Sequence, residues 1–210
     1  MKKNRILTTA LAAFTAFTFF NCNVSAQDMA LPAPTKTDVA GSLNKALQDR
    51  RSTRTFTDKA VSDQVLADLL WAADGVNRTD GRRTAPSARN KQDITIYVGK
   101  ADGTFRYDPN ANKLVKIGGG DLRKAVAGRN KFIATAPLVL VLATDTVLMD
   151  GNMALSGIDA GTVVQNVYLY CAANGLGTVC CYAGENTDDV QKFLGVKPQV
   201  KPLVYMPVGY

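Results

Sequence analysis

Histidine is absent from the 210-residue chain. That absence removes the Ser-His-Asp triad, the Cys-His pair and every histidine-based metal site. Cysteine is scarce, at four residues, and Cys22 lies in the leader described below. The odd number that remains, Cys171, Cys180 and Cys181, argues against a disulfide framework. A bridge between the adjacent Cys180 and Cys181 would close a strained ring. All three are expected to pack as thiols among apolar neighbours. Acids are fewer than bases, 18 Asp+Glu against 25 Lys+Arg, for a formal charge of +7. No basic helix or aromatic-basic stripe accompanies that excess. It suits an anionic small molecule, and no nucleic-acid partner is expected. Hydrophobic residues at 46% and charged residues at 20% make the chain globular, long enough for one domain.

The amino terminus has the form of a signal peptide. Lys2, Lys3 and Arg5 precede an uncharged, mainly apolar run, Ile6 to Phe20, which is short for a bilayer crossing. Val24-Ser25-Ala26 then places small residues at −3 and −1, so cleavage is expected after Ala26. A retained anchor helix and a lipoprotein attached through Cys22 fit less well, because Phe19-Phe20-Asn21 is a poor lipobox. Loss of residues 1–26 removes three cations and no acids, lowering the charge from +7 to +4. The expected location is exported, in the periplasm, with no stable membrane insertion after cleavage. Residues 27–40 lack periodicity and are expected to form a flexible lead-in to a single domain over 41–210.

Within that domain, Ser42 is placed as the cap of a helix carrying Leu43, Ala46 and Leu47, which ends near Arg50. Ser62 caps a second helix, whose Val65, Leu66, Leu69, Leu70 and Ala73 follow the 3.6-residue period to Gly75. Residues 77–92 form a polar loop before a strand from Ile94 to Val98. Gly103–Asp108 and Lys113–Ile117 flank an Asp-Pro-Asn turn and predict a hairpin. A short helix is placed at 121–127. Pro137 to Ala143 is a continuous apolar run, the pattern of a central strand buried on both faces. A long helix spans about 154–173, with Ile158, Gly161, Thr162, Gln165 and Leu169 on a face suited to close packing. A strand over 177–182, a helix over 188–194 and a final strand over 203–208 complete an α+β domain.

Three segments carry residues suited to chemistry. In Arg50-Arg51-Ser52-Thr53-Arg54, two guanidiniums four residues apart share a side, with a hydroxyl between them. Guanidinium forks match phosphate oxygens, although a solvated basic turn beside Asp49 and Asp58 would have the same composition. Ser87, Asn90, Lys91 and Gln92 stand directly before a strand. Their neutral donors and acceptors suit the amide edge of a flat heterocycle, and Lys91 supplies charge for a ring that turns negative on reduction. An ordinary polar loop is the plain alternative. Ala183-Gly184 has almost no side chain, so backbone groups can approach a ligand closely. No GxGxxG follows a strand, and Gly118-Gly119-Gly120 lacks the Lys-Ser/Thr of a P-loop.

Together these segments resemble the flavin-dependent nitroreductase family. Arg50-Arg51-Ser52-Thr53-Arg54-Thr55-Phe56 is similar to the family's opening. Leu69 to Arg78, Pro86 to Gln92, Ile158-Asp159-Ala160-Gly161 with Gln165-Asn166, Gly175-Leu176-Gly177 and Met206 to Tyr210 follow in the family's order, over about residues 41–210. The resemblance implies a nitroreductase-like fold, with a central mixed or antiparallel sheet flanked by helices. It also implies an FMN-containing homodimer with the flavin at the subunit interface. Arg50, Ser52 and Arg54, with Arg51 beside them, would hold the phosphate and ribityl chain. Ser87, Asn90, Lys91 and Gln92 would meet the isoalloxazine edge, and Ala183 and Gly184 another side. The activity implied is two-electron transfer between a reductant, NAD(P)H or an extracytoplasmic donor, and a small organic acceptor. The Trp71 to Ser87 region is also similar to the azoline-oxidising branch. A non-catalytic exported flavin- or ligand-binding module is the alternative. Where the family continues with a basic tail, this sequence stops at Tyr210, which places the phosphate on the Arg cluster alone and implies a weaker dimer.

Overall fold

A computed structural model describes residues 27–35, 43–184 and 187–210. The leader and the expected cap at Ser42 lie outside the described residues. The described residues form strand β1 (Met29–Ala30), helices α1 (Leu43–Asp49) and α2 (Asp63–Asp74), strands β2 (Ile94–Lys100), β3 (Gly103–Asp108) and β4 (Lys113–Gly118), and helix α3 (Leu122–Ala127). Strand β5 (Leu138–Asp145), helix α4 (Met153–Ala173), strands β6 (Gly177–Thr178) and β7 (Cys181–Tyr182), helix α5 (Thr187–Leu194) and strand β8 (Val200–Gly209) follow. Short 3-10 turns occupy Ala88–Asn90 and Lys131–Thr135.

One sheet runs in the order β1-β4-β3-β2-β5-β8-β6, with β7 also paired to β8. Every strand pair in it is antiparallel. The chain alternates sides of β5 as the period of two requires. Leu138, Leu140 and Leu142 enter one core with residues of α2 and α4, whereas Val139, Val141 and Ala143 enter a second core with residues of α3 and α5. Both faces of the sheet are therefore covered, which is why the run from 137 to 143 is continuously apolar.

Local chemistry sets the helix ends. Ser62 Oγ accepts the Val65 N–H at 3.3 Å, and the Gly75 N–H closes α2 on the Trp71 carbonyl at 2.8 Å. Asn152 caps α4 by accepting the Leu155 N–H at 3.1 Å. Among the described residues, no helix is long and apolar enough to cross a membrane.

Four expectations differ from the structure. Residues 27–35 carry edge strand β1, which pairs with Lys113–Leu114 of β4 and buries Leu31. In α1 only Ala46 is buried, while Leu43 and Leu47 are exposed. The strand expected over 177–182 is two pieces, β6 and β7, with Val179 and Cys180 between them. The alternation through that break buries Val179, Cys181 and Ala183 and turns Cys180 and Tyr182 outward, so Cys180 is an exposed thiol.

Candidate functional site

The Arg50–Arg54 segment leaves α1 extended. It is laid against β6 by a parallel bridge, in which the Thr53 N–H donates to the Thr178 carbonyl at 2.8 Å. Glycine permits this approach, since a Cβ at position 177 would stand 2.6 Å from Thr53 Cγ2. Extended backbone alternates its side chains. Arg51 and Thr53 line a cavity of about 470 Å³ with Asp49, Tyr168, Thr178 and Tyr210. Ser52 and Arg54 project from the other side. The sequence grouped Arg51 with its neighbours, but the alternation separates it from them.

Tyr168, buried on α4, is the hub of this end of the molecule. Its hydroxyl lies 3.2 Å from Ser52 Oγ and accepts the Cys180 N–H at 2.8 Å. The Arg50 guanidinium sits over its ring, 5.2 Å from the centroid. Arg54 faces β7. Burial pushes the Cys181 thiol up, Cys180 adds to that push, and the Arg54 charge pulls it back down. One aromatic side chain thus fixes Arg50, Ser52 and the backbone of Cys180 relative to one another. Nothing in the sequence marks Tyr168, one of two tyrosines, with Tyr170, in a helical run of mainly aliphatic and small residues.

Beyond β7, Ala183 and Gly184 border a second cavity of about 520 Å³. Val126, Gly128, Arg129, Asn130, Tyr182 and Tyr205 complete its wall. A space of this size suits a small ligand or cofactor. The Ala183 N–H is committed to the Leu203 carbonyl at 3.0 Å, so it is not available as a ligand donor. Gly184 has a positive φ of 24°, and a Cβ there would meet the Tyr182 ring at 2.9 Å. Glycine is required at this point.

The remaining candidates sit in the loop before β2, against another part of α4. Ser87 Oγ accepts the Gln92 N–H at 2.8 Å, and Gln92 Nε2 donates to the Gly81 carbonyl at 3.0 Å. The Gln92 side chain therefore braces the loop, also reaching Asn90 Oδ1 at 3.4 Å. Lys91 closes the 3-10 turn. The loop is pinned to α4 where Asp159 accepts the Ala88 N–H and Thr162 Oγ1 donates to the Pro86 carbonyl at 3.2 Å. Asp159 and Tyr168 are nine residues apart on one helix, about 14 Å along its axis. The Arg50–Ser52–Arg54 end and the Ser87–Gln92 loop thus meet α4 at different levels.

Beneath that loop lies an ion pair. Arg83 Nη1 donates to Asp74 Oδ2 at 2.5 Å and to the Ile94 carbonyl at 3.3 Å, with both partners mostly buried. Burial pushes Asp74 up to about 7 against the pull of Arg83, and Asp93 adds to the rise. Among the described residues, no group of three or more Cys, Asp or Glu could hold a metal ion.

Two guanidiniums with a fixed hydroxyl fit a phosphate. A small-residue backbone beside a cavity fits the face of a flat ring. Arg50, Ser52 and Arg54 thus supply donors of the kind an FMN phosphate takes, while Gly184 borders a separate cavity.

Comparison with known proteins bears on the family and the fold. The sequence model of the nitroreductase family matches residues 47–210. A nitroreductase-family protein of Methanocaldococcus jannaschii, MJ1384, is 34% identical over 182 residues, covering 80% of this chain and 90% of its own. The crystal structure of a nitroreductase-family protein from Ralstonia eutropha JMP134 superposes with a TM-score of 0.81 at 32% identity, covering 88% of this chain and 90% of that one. A Desulfovibrio desulfuricans relative crystallised with FMN shares the fold at a TM-score of 0.59 and 24% identity, covering 80% of this chain and 86% of that one.

Proposed function

The chain belongs to the nitroreductase family, and from that membership we propose that it is an FMN-dependent oxidoreductase. It passes two electrons, as hydride, between a reductant and a small organic acceptor. The observation that carries this reading is the Tyr168 hub, which fixes Arg50 and Ser52 against the backbone of Cys180. The Arg54 charge is felt at Cys181 of β7, three residues before Gly184. Arg50, Ser52 and Arg54 bind the phosphate and ribityl chain, and Gly184 lets the ring approach the backbone. FMN bound there supplies the redox chemistry that a chain without histidine lacks.

The functional unit is a homodimer. Residues 154, 157, 158, 161 and 165 are exposed along one face of α4, and Ile158 is 62% exposed. Gly157 and Gly161 have nothing within 4 Å of where a Cβ would stand. Leu43 and Leu47 of α1 are likewise uncovered. A second copy packed on this face brings its Ser87–Gln92 loop to the first copy's Arg50–Ser52–Arg54 end, so the two half-sites make one flavin site. The amino-terminal leader supports export to the periplasm after cleavage at Ala26. The electron donor is NAD(P)H or an extracytoplasmic reductant.

The test is an FMN titration. Arg54→Ala removes a charge-assisted hydrogen bond, and FMN binding should weaken about 10- to 150-fold. Sedimentation of apo and FMN-loaded protein should show flavin stabilising the dimer. An unchanged FMN dissociation constant in both Arg50→Ala and Arg54→Ala would end the phosphate assignment.

A further inference from the structure

The 50–54 segment has two sides, and the flavin reading uses one. On the other, Arg51 and Thr53 line the cavity of about 470 Å³ between that segment, the carboxy-terminal end of α4 and Tyr210. Its size is that of a small-molecule site.

Charge on the cavity wall is unevenly answered. The Asp49 carboxylate accepts from Lys45 Nζ at 2.7 Å. Arg51 is exposed and makes no hydrogen bond or ion pair with another described residue. Lys59 Nζ stands 3.8 Å from the centroid of the Tyr210 ring, which brings a second cation to the wall that Tyr210 forms. The Arg50 guanidinium lies over the ring of Tyr168, another part of the lining. Arg50, Arg51 and Lys59 thus surround a space whose lining side-chain acid, Asp49, is already paired.

The deeper wall is apolar with one polar exception. Cys171 and Leu176 are 1% and 7% exposed. Burial pushes the Cys171 thiol up, so it stays an uncharged, hydrophobic contact. Thr178 also lines the cavity. It is 1% exposed, and its Oγ1 has no hydrogen-bond partner. A buried hydroxyl without a partner is costly, and an acceptor oxygen brought to it recovers that cost. A cationic rim, a buried donor and an apolar floor together select an organic monoanion.

We propose that this cavity binds a small carboxylate on an apolar body, with Arg51 on the carboxylate, and that its occupancy tightens FMN binding on the opposite side of the segment. The carboxylate site stands on the cavity alone. The coupling rests on the reading of Arg50, Ser52 and Arg54 as phosphate ligands. What joins the two sides is the backbone they share. The Thr53 N–H is tied to the Thr178 carbonyl at 2.8 Å, and the Tyr168 hydroxyl lies 3.2 Å from Ser52 Oγ. A ligand packed against Thr53, Tyr168 and Thr178 therefore holds Ser52 and Arg54 in place from behind. Two ligands that favour one arrangement of a segment strengthen each other by the same factor.

Hexanoate and hexanamide, one body with and without the charge, are the probes. They are titrated into the FMN-loaded protein, followed by amide NMR shifts at Gly175 and Gly177 on the cavity wall and at Gly184 away from it. Hexanoate should move Gly175 and Gly177 saturably and bind about 10- to 150-fold more tightly than hexanamide. Arg51→Gln should erase that preference, and Arg51→Lys should restore most of it. Thr178→Val should weaken hexanoate about 2- to 13-fold, yet raise the unfolding temperature of the ligand-free protein by deleting an unpaired buried hydroxyl. Saturating hexanoate should tighten FMN about 5-fold or more, and FMN should tighten hexanoate by the same factor. No binding at millimolar probe, a preference that survives Arg51→Gln, or shifts confined to Gly184 overturns the site. Hexanoate bound at Gly175 and Gly177 with FMN affinity unchanged upholds the site and overturns the coupling. Hexanoate binding as expected, with FMN affinity intact in Arg54→Ala, upholds the carboxylate site and overturns the phosphate reading.

Discussion

Arg83→Met isolates the cost of an unpaired buried charge. Arg83 and Asp74 side chains are only 14% and 8% exposed, and Arg83 also donates to the Ile94 carbonyl. Removing one partner of such a pair typically costs about 3–5 kcal/mol, because the other charge stays buried. The pH dependence separates that charge from lost packing. In the wild type, Asp74 is raised to about 7 by burial. Its proton therefore stabilises the fold most below about pH 4, and that contribution fades up to about pH 7. Without Arg83 the two pulls that lower this carboxyl disappear, so its proton is held to higher pH. Between pH 7 and 8.5 the variant should lose a further ~2 kcal/mol relative to wild type, at about 1.4 kcal/mol per pH unit. Urea unfolding at pH 5.5, 7 and 8.5 measures this. Asp74→Leu in the same chain removes the stranded charge, and the double variant should recover most of the loss and lose its pH dependence. A double variant as unstable as Arg83→Met, at every pH, would refute the reasoning and leave packing as the whole effect.

Three further outcomes are expected. Tyr168→Phe removes the hydroxyl that meets Ser52 and the Cys180 N–H, and FMN binding should weaken about 2- to 13-fold with the fold retained. Gly177→Val forces Thr53 away from β6, and FMN titration should show a loss at least as large as that of Arg54→Ala, since Ser52 and Arg54 move together. Asp121 accepts the Arg123 N–H at 3.1 Å and its guanidinium at 2.9 Å, bonds that hold its carboxyl below the usual range. Asp121→Asn should therefore cost about 0.5–2 kcal/mol in urea unfolding at pH 7. That cost should fade as acid protonates the wild-type carboxyl below about pH 3.9.

Elements with strong local patterns were legible in the sequence. Leu66, Leu69 and Leu70 defined α2, and the run 137–143 defined β5, because burial on one face or on two leaves a periodic trace. The Arg50–Arg54 cluster was visible through its density. What escaped depends on pairs far apart in the chain. Tyr168 acquires its role only when the fold brings Ser52 and Cys180 to it. Asp93 and Asp159 look like ordinary solvated acids until the fold buries each of them. Cys180 was misjudged because a two-residue break in the strand decides which neighbour faces out.

The place of β8 bears on how the molecule is made. It follows every other described strand in sequence, yet it lies between β5 and β6, pairing Leu138 with Val208. Until β8 joins the sheet, β5 presents an unpaired edge whose side chains from Leu138 to Ala143 are all destined for burial. An open edge of that composition is a template for aggregation, and contacts this distant in sequence close slowly. Folding therefore waits at the central strand until residues 200–209 are in place, and a chain lacking that segment loses an interior strand.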